Sequence, residues 1–189
     1  MKNTDEVTVL VTVNYKDLHN VLIQKGFKKM ESFELEDYYY QKENMDFSKM
    51  SRMELLSKTL ILRCVNRVSS KLIVKNKVMD AEKILSQSEV SCDVASYQDA
   101  KNLLEALDFK QWVHLRNECS VYSNNTLSLI VQNVNSKYLF IEIEFQSNDG
   151  VNQFEDLAEL TEALKRYGLP INTNNLFIKK LDYVFNFEN

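Results

Sequence analysis

The 189-residue chain has three glycines, one proline, three cysteines, two histidines and one tryptophan. Each scarcity removes a class of chemistry. Three glycines leave no glycine-rich loop of the kind that cradles nucleotide phosphates with backbone N–H groups. Cys64, Cys92 and Cys119 are odd in number, scattered and without metal-ligand spacing, so they read as free, mostly buried thiols. His19 and His114 stand far apart, which argues against a zinc site and against a histidine-based triad. No apolar run approaches the roughly 20 residues of a membrane span, so no membrane partner is expected. Residues 1–6 lack the charged-then-apolar plan of a signal peptide, and the expected location is the cytoplasm. Basic residues are outnumbered, 23 against 27, for a net charge of −4. That balance disfavours a nucleic-acid partner, although a local basic patch stays open.

What is present suits one domain over residues 1–189, with 44% hydrophobic and 26% charged residues. The most informative stretch is 137–146. Leu139, Ile141, Ile143 and Phe145 fall on one side of a strand, and Tyr138, Phe140, Glu142, Glu144 and Gln146 on the other. Adjacent carboxylates on one face need water, a cation or basic partners. Residues 6–13 alternate in the same way, with Val7, Val9, Val11 and Val13 opposite Glu6, Thr8, Leu10 and Thr12. Asn14 can cap a helix carrying Leu18, Val21 and Leu22, which Gly26 ends. Residues 27–41 read as a strand and 48–57 as a short helix or loop.

Residues 59–67 and 71–79 form a hairpin turning at Ser69 and Ser70. Arg63, Val65 and Arg67 share a face on its first strand, and Lys71, Ile73, Lys75 and Lys77 on its second. If the faces coincide, the hairpin is basic. Residues 80–87 read as a connector. Glu89, Ser91 and Asp93 then alternate with Val90, Cys92 and Val94. Ser96 and Asp99 open a helix bearing Ala100, Leu103, Leu104 and Leu107. Strands follow at 109–122, 126–134 and 137–146, with turns at Asn124-Asn125 and Asn135-Ser136. A long helix is expected over 149–167, stopped by Gly168 and Pro170, and a short one over 176–187.

The two halves resemble each other, which suggests an internal duplication. About eight strands in hairpin order predict an α+β fold: an antiparallel eight-stranded closed β-barrel with helices packed outside. Helices must cover apolar sheet surface, so the valine faces turn toward them and the charged faces line a wet tunnel.

This layout resembles the CYTH domain, the family of class IV adenylyl cyclases and thiamine triphosphatases, also called triphosphate tunnel metalloenzymes. The family's Glu-x-Glu-x-Lys falls on Glu6, Thr8 and Leu10, and its Asp-x-Tyr on Asp37 and Tyr39. Its Leu-Arg-x-Arg falls on residues 60–63, keeping Arg63 but placing Ile61 at the first arginine. Its strand lysine is Lys75, its next Glu-x-Glu falls on Glu89 and Ser91, and Asp108 stands where glycine is usual. Its Lys-x-Arg falls on Asn117 and Cys119, with Arg116 as a substitute, and its following aspartate on Gln132. The closing Glu-x-Glu is complete as Glu142 and Glu144.

The resemblance implies a triphosphate-containing small molecule in the tunnel: a nucleoside, thiamine or inorganic triphosphate. It implies Mg²⁺ or Mn²⁺ on Glu142, Glu144 and Glu6, with Glu89 and Asp93 completing the shell. Glu142, Glu144 and Glu6 would be catalytic. Arg63 and Lys75 would bind phosphate, joined by Arg67, Lys71 and Lys77. Two activities compete: a metal-dependent phosphohydrolase or cyclase, and a catalytically impaired relative that binds a phosphorylated ligand or a protein. The Asp37 to Tyr40 run offers either a stacking surface for a base or core aromatics. A homodimer is an open expectation.

Overall fold

The computed structural model describes residues 2–3, 6–45, 57–80, 83–147, 149–172, 180 and 183. In chain order these give β1 (Lys2–Asn3), β2 (Glu6–Leu10), α1 (Tyr15–Gln24), β3 (Lys28–Lys42), β4 (Lys58–Val65), β5 (Ser69–Asp80) and β6 (Lys83–Val94). There follow α2 (Tyr97–Ala106), β7 (Phe109–Ser123), β8 (Ser128–Val134), β9 (Tyr138–Glu144) and α3 (Leu157–Tyr167). The fold is α+β, and every strand ladder with a described register is antiparallel. The order strand, helix, long strand occurs twice, as β2-α1-β3 and as β6-α2-β7. No helix among the described residues is long and apolar enough to cross a membrane.

The chain divides into two compact units, residues 1–4 with 34–116, and residues 5–33 with 117–189. In the first, the strands lie in the order β1-β6-β5-β4-β3-β7. Leu62 and Tyr40 on the sheet pack against Ala100 and Leu104 of α2, with Leu60, Leu72 and Tyr38 at the margin. Ser96 caps α2, its Oγ accepting from Asp99 N at 3.2 Å. Leu107 and Asp108 close the helix. Asp108 has φ +62°, so the aspartate at the family's glycine position adopts the left-handed backbone that glycine would favour.

In the second unit the order is β3-β7-β8-β9-β2. Val7, Val9, Leu129, Val131, Ile141 and Ile143 meet Leu18 and Leu22 of α1 and Leu160 and Leu164 of α3 in one core. Burying each such side chain contributes about 1.5–3 kcal/mol. Asn14 caps α1 by accepting from Asp17 N at 3.0 Å, and Asp156 caps α3 by accepting from Glu159 N at 2.9 Å. The valine face of β2 therefore turns to the helices, as the sequence pattern predicted.

Four boundaries differ from the sequence expectation. β2 stops at Leu10, because Val11 bridges Ile171 and Thr12 N bonds Pro170 O at 2.8 Å. The hairpin turns at Asn66 and Arg67, both with positive φ, and not at Ser69 and Ser70, which already belong to β5. The expected connector at 80–87 is mostly strand, since β5 runs to Asp80 and β6 starts at Lys83. The helix expected from 149 begins only at Leu157. Before it, Gln153 bridges Gln146 and Phe154 N bonds Phe145 O at 2.9 Å, so this stretch spends its backbone donors on the end of β9. Residues 48–56 lie outside the described residues. So does the helix expected over 176–187, apart from Lys180 and Tyr183, which are both helical.

Candidate active-site faces

Strand alternation puts one charged face on each unit, opposite its helix-covered face. In the second unit Glu6 stands directly across from Glu144, Thr8 from Glu142, and Leu10 from Phe140. Their neighbours Val7, Val9, Ile141 and Ile143 point the other way, into the core. The three carboxylates of Glu6, Glu142 and Glu144 thus share a half-buried face, as the sequence predicted. Gln132, across from Phe140 on β8, donates from Nε2 to Glu142 Oε2 at 3.1 Å. Lys180 donates to the same oxygen from Nζ at 2.8 Å, and both side chains are largely withdrawn from water, at 21% and 15% exposure. Tyr183 sets its ring edge-on against Tyr138, 5.0 Å between centroids, and against Phe140 at 6.0 Å. Sequence reasoning missed Lys180. Its only signal was a lysine in the last expected helix.

The family resemblance implies a divalent metal on this face, and the groups held at Glu142 Oε2 do not fit one. An amide nitrogen and an ammonium, neither able to ligate a cation, occupy Glu142 Oε2. Among the described residues no three of His, Cys, Asp and Glu are grouped so as to hold a metal ion. Glu89 and Asp93, expected to complete the shell, lie on the first unit, Glu89 3.6 Å from Lys75 and Asp93 3.4 Å from Lys71.

On that unit Arg63 is flanked in register by Asp37 on β3 and Lys71 on β5, and Lys71 by Asp93 on β6. Lys75 lies across from Thr59 and Glu89, and Lys77 across from Gln87. Arg63, Lys71, Lys75 and Lys77 therefore share one face, and the two faces of the hairpin do coincide. The face is not purely basic, however. Arg63 clasps both oxygens of Asp37 at 2.6 and 2.8 Å, while Lys75 lies 3.6 Å from Glu89 and Lys71 3.4 Å from Asp93.

Arg67 is a correction. Its left-handed turn carries it off this face to Glu36, 3.3 Å away, on the side of Tyr38 and Tyr40. Glu36 also accepts from the Tyr38 hydroxyl at 2.5 Å and lies 3.7 Å from His114 Nε2. The Tyr38 hydrogen bond holds the Glu36 carboxyl below its usual range; burial opposes this, and Arg67 and His114 reinforce it. Burial and the Glu36 bond drive the Tyr38 phenol far up. His114 stacks on Tyr38 at 4.3 Å. Arg116, offered as a replacement for the family's Lys-x-Arg, bonds Glu34 at 3.2 Å on this same side, whereas Asn117 and Cys119 are buried. Tyr40 is a buried core aromatic packed with Leu62 and α2, and Tyr39, also buried, meets Trp112 edge-on with 6.3 Å between ring centroids.

His19 joins a separate network. Its Nδ1 lies 2.7 Å from the Tyr122 hydroxyl, which is 3.1 Å from the Tyr15 hydroxyl. Burial raises the Tyr122 phenol. Burial also pushes Tyr15 up, but bonds from Ser120, Tyr122 and Lys29 outweigh it and leave that phenol lowered.

The CYTH domain model matches residues 6–174. Solved structures share the fold. The PH1819 protein of Pyrococcus horikoshii OT3 is 21% identical with a TM-score of 0.68, covering 96% of this chain and 98% of that one. HpAC1 of Hippeastrum, an adenylyl cyclase-like protein described as having a dominant triphosphatase activity, is 16% identical with a TM-score of 0.65, covering 96% and 94%. An adenylate cyclase-like protein of Vibrio parahaemolyticus is 14% identical with a TM-score of 0.62, covering 98% and 99%. No curated protein sequence matches the chain. A family match over most of the sequence, on a fold these structures share, means that the chain belongs to the CYTH domain family.

Proposed function

We propose that the chain binds the triphosphate group of a small molecule through Arg63, Lys71 and Lys75, with Lys77 at the margin, and that its phosphoryl-transfer chemistry is weaker than in relatives with the full motif set. The carrying observation is the cross-strand set on β4 and β5, with each of Arg63, Lys71 and Lys75 held by a carboxylate. A phosphate oxygen can be bound by the same donors that now hold carboxylate oxygens, and arginine binds either one bidentately. The ligand would be a nucleoside, thiamine or inorganic triphosphate. The closed eight-stranded barrel around it, the single domain and a cytoplasmic location belong to this proposal.

Four residues support weak chemistry. Leu10, Ile61, Cys119 and Gln132 replace charged residues of the family pattern, and the last three are buried. Each lost charge-assisted contact withdraws about 2–4 kcal/mol of transition-state stabilisation. A second reading, a Mg²⁺- or Mn²⁺-dependent phosphohydrolase or cyclase, is favoured by Glu6, Glu142 and Glu144 on one face.

Thermal melts with tripolyphosphate, ATP and thiamine triphosphate test binding. At a hundredfold excess over Kd a ligand adds about 2.7 kcal/mol, which raises Tm by roughly 5–10 °C at this size. The shift should vanish in Arg63→Ala with Lys75→Ala. No shift with any triphosphate would end the proposal. Rapid phosphate release that disappears in Glu142→Gln would select the second reading.

A further inference from the structure

We propose that the Lys180 ammonium is the resident cation of the acidic face, standing where the family pattern implies a divalent metal. Glu6, Glu142 and Glu144 put three half-buried carboxylates on one face, and such a set is stabilised by water or by a nearby positive charge. The chain supplies that charge itself. Lys180 Nζ sits 2.8 Å from Glu142 Oε2. The Gln132 amide donates to the same oxygen at 3.1 Å, where a carboxylate in the family pattern would have added a ligand. Tyr183, three residues beyond Lys180, lodges its ring against Tyr138 and Phe140 and so anchors the segment that carries the lysine. A divalent ion at Glu142 Oε2 would have to displace the ammonium.

Two consequences follow. Divalent ions bind the acidic face only when Lys180 is removed. Triphosphate binding, if the proposed function holds, needs no divalent ion; this second consequence rests on that reading and the first does not.

The test is a Mn²⁺ titration of the full chain, following the free-ion electron paramagnetic resonance signal. Wild type and Lys180→Arg should leave the ion free. Lys180→Ala should bind it at least tenfold more tightly, and adding Glu142→Gln should abolish the gain. Lys180→Gln, which keeps the stem, serves if Lys180→Ala does not fold. Tyr183→Ala should give a partial gain by loosening the anchor. Equal Mn²⁺ binding by wild type and Lys180→Ala, or no gain in either Lys180 variant, would overturn the proposal. In a parallel arm, the tripolyphosphate melt shift should be the same in EDTA and in Mg²⁺. A shift that requires Mg²⁺ would also overturn it. Absence of any shift would defeat the proposed function while the Mn²⁺ titration still decided the role of Lys180.

Discussion

Arg63 reaches from β4 to Asp37 on β3 and grips both carboxylate oxygens, Nε to Oδ1 at 2.6 Å and Nη2 to Oδ2 at 2.8 Å. Asp37 is almost fully buried, with 4% of its side chain exposed against 27% for Arg63. The pair therefore has two jobs: it compensates a buried anion, and it holds a guanidinium flat and ready on the charged face.

Removing Arg63 leaves the Asp37 charge stranded. Breaking a fully buried pair costs about 3–5 kcal/mol. Discounting for the partial exposure of Arg63, Arg63→Ala should cost about 2–4 kcal/mol. That lowers Tm by about 5–15 °C at this length. Asp37→Asn should destabilise less and should strengthen tripolyphosphate binding, because the guanidinium loses its internal competitor. Urea unfolding and ligand-induced melt shifts measure both effects, and weaker binding in Asp37→Asn would count against Arg63 as a phosphate ligand.

Glu36 makes a pH prediction. Its carboxyl lies below the ordinary glutamate range, chiefly because Tyr38 donates to it. A carboxylate whose folded pKa is depressed contributes stability that is present above the unfolded pKa and lost as pH falls through the folded one. The acid limb of a stability–pH curve should therefore steepen below about 4.5, the unfolded value. Tyr38→Phe should move that limb to higher pH, and Glu36→Gln should flatten it. Urea melts between neutral pH and pH 3 would detect the changes; an unchanged limb in both variants would remove Glu36 from the acid response.

Tyrosines dominate the alkaline limb. Burial pushes Tyr40 up to about 12, and Tyr38, Tyr97 and Tyr122 are also raised, burial being the largest cause for each. A raised folded pKa means full stabilisation below the unfolded value and progressive loss above it. The protein should lose stability above about pH 10, the ordinary phenol value. Of its nine tyrosines, these four should ionise late in a phenolate absorbance titration of the native state. Tyr15, lowered by Ser120, Tyr122 and Lys29 against the effect of burial, should ionise early, and Tyr15→Phe should remove that early phase.

How much of this could be read in advance varied with the range of the interaction. Period-two alternation was enough to separate Val7 and Val9 from Glu6 and Thr8, and to set Arg63 beside Lys71, because both depend only on local geometry and hairpin register. Arg67 was misread as a strand residue because Asn66 adopts a left-handed conformation one residue after the strand ends. The helix expected at 149 failed because the apolar periodicity says nothing about where nearby backbone donors find acceptors, here Phe145 and Gln146 on the preceding segment. The partners of the charged residues were least legible. Alternation assigns a face, but it cannot say that Lys75 meets Glu89 or that Lys180 meets Glu142 across 38 positions of sequence.

Gln132 separates loss of the family's donor set from loss of its geometry. Its Nε2 donates to Glu142 at 3.1 Å, its Oε1 is buried with no hydrogen-bond partner among the described residues, and the residue is 2% exposed. Gln132→Asp would restore the carboxylate of the family pattern beside Glu142. Without a divalent ion, the added buried charge should cost about 1–3 kcal/mol, because Lys180 must then serve a second carboxylate and the amide donor is gone. Combined with Lys180→Ala, the change should make stability depend on Mn²⁺, with a melt that rises with ion concentration as linkage requires. If Gln132→Asp proves neutral in EDTA and the double variant ignores Mn²⁺, the glutamine is a packing residue and not a stand-in for the family's carboxylate.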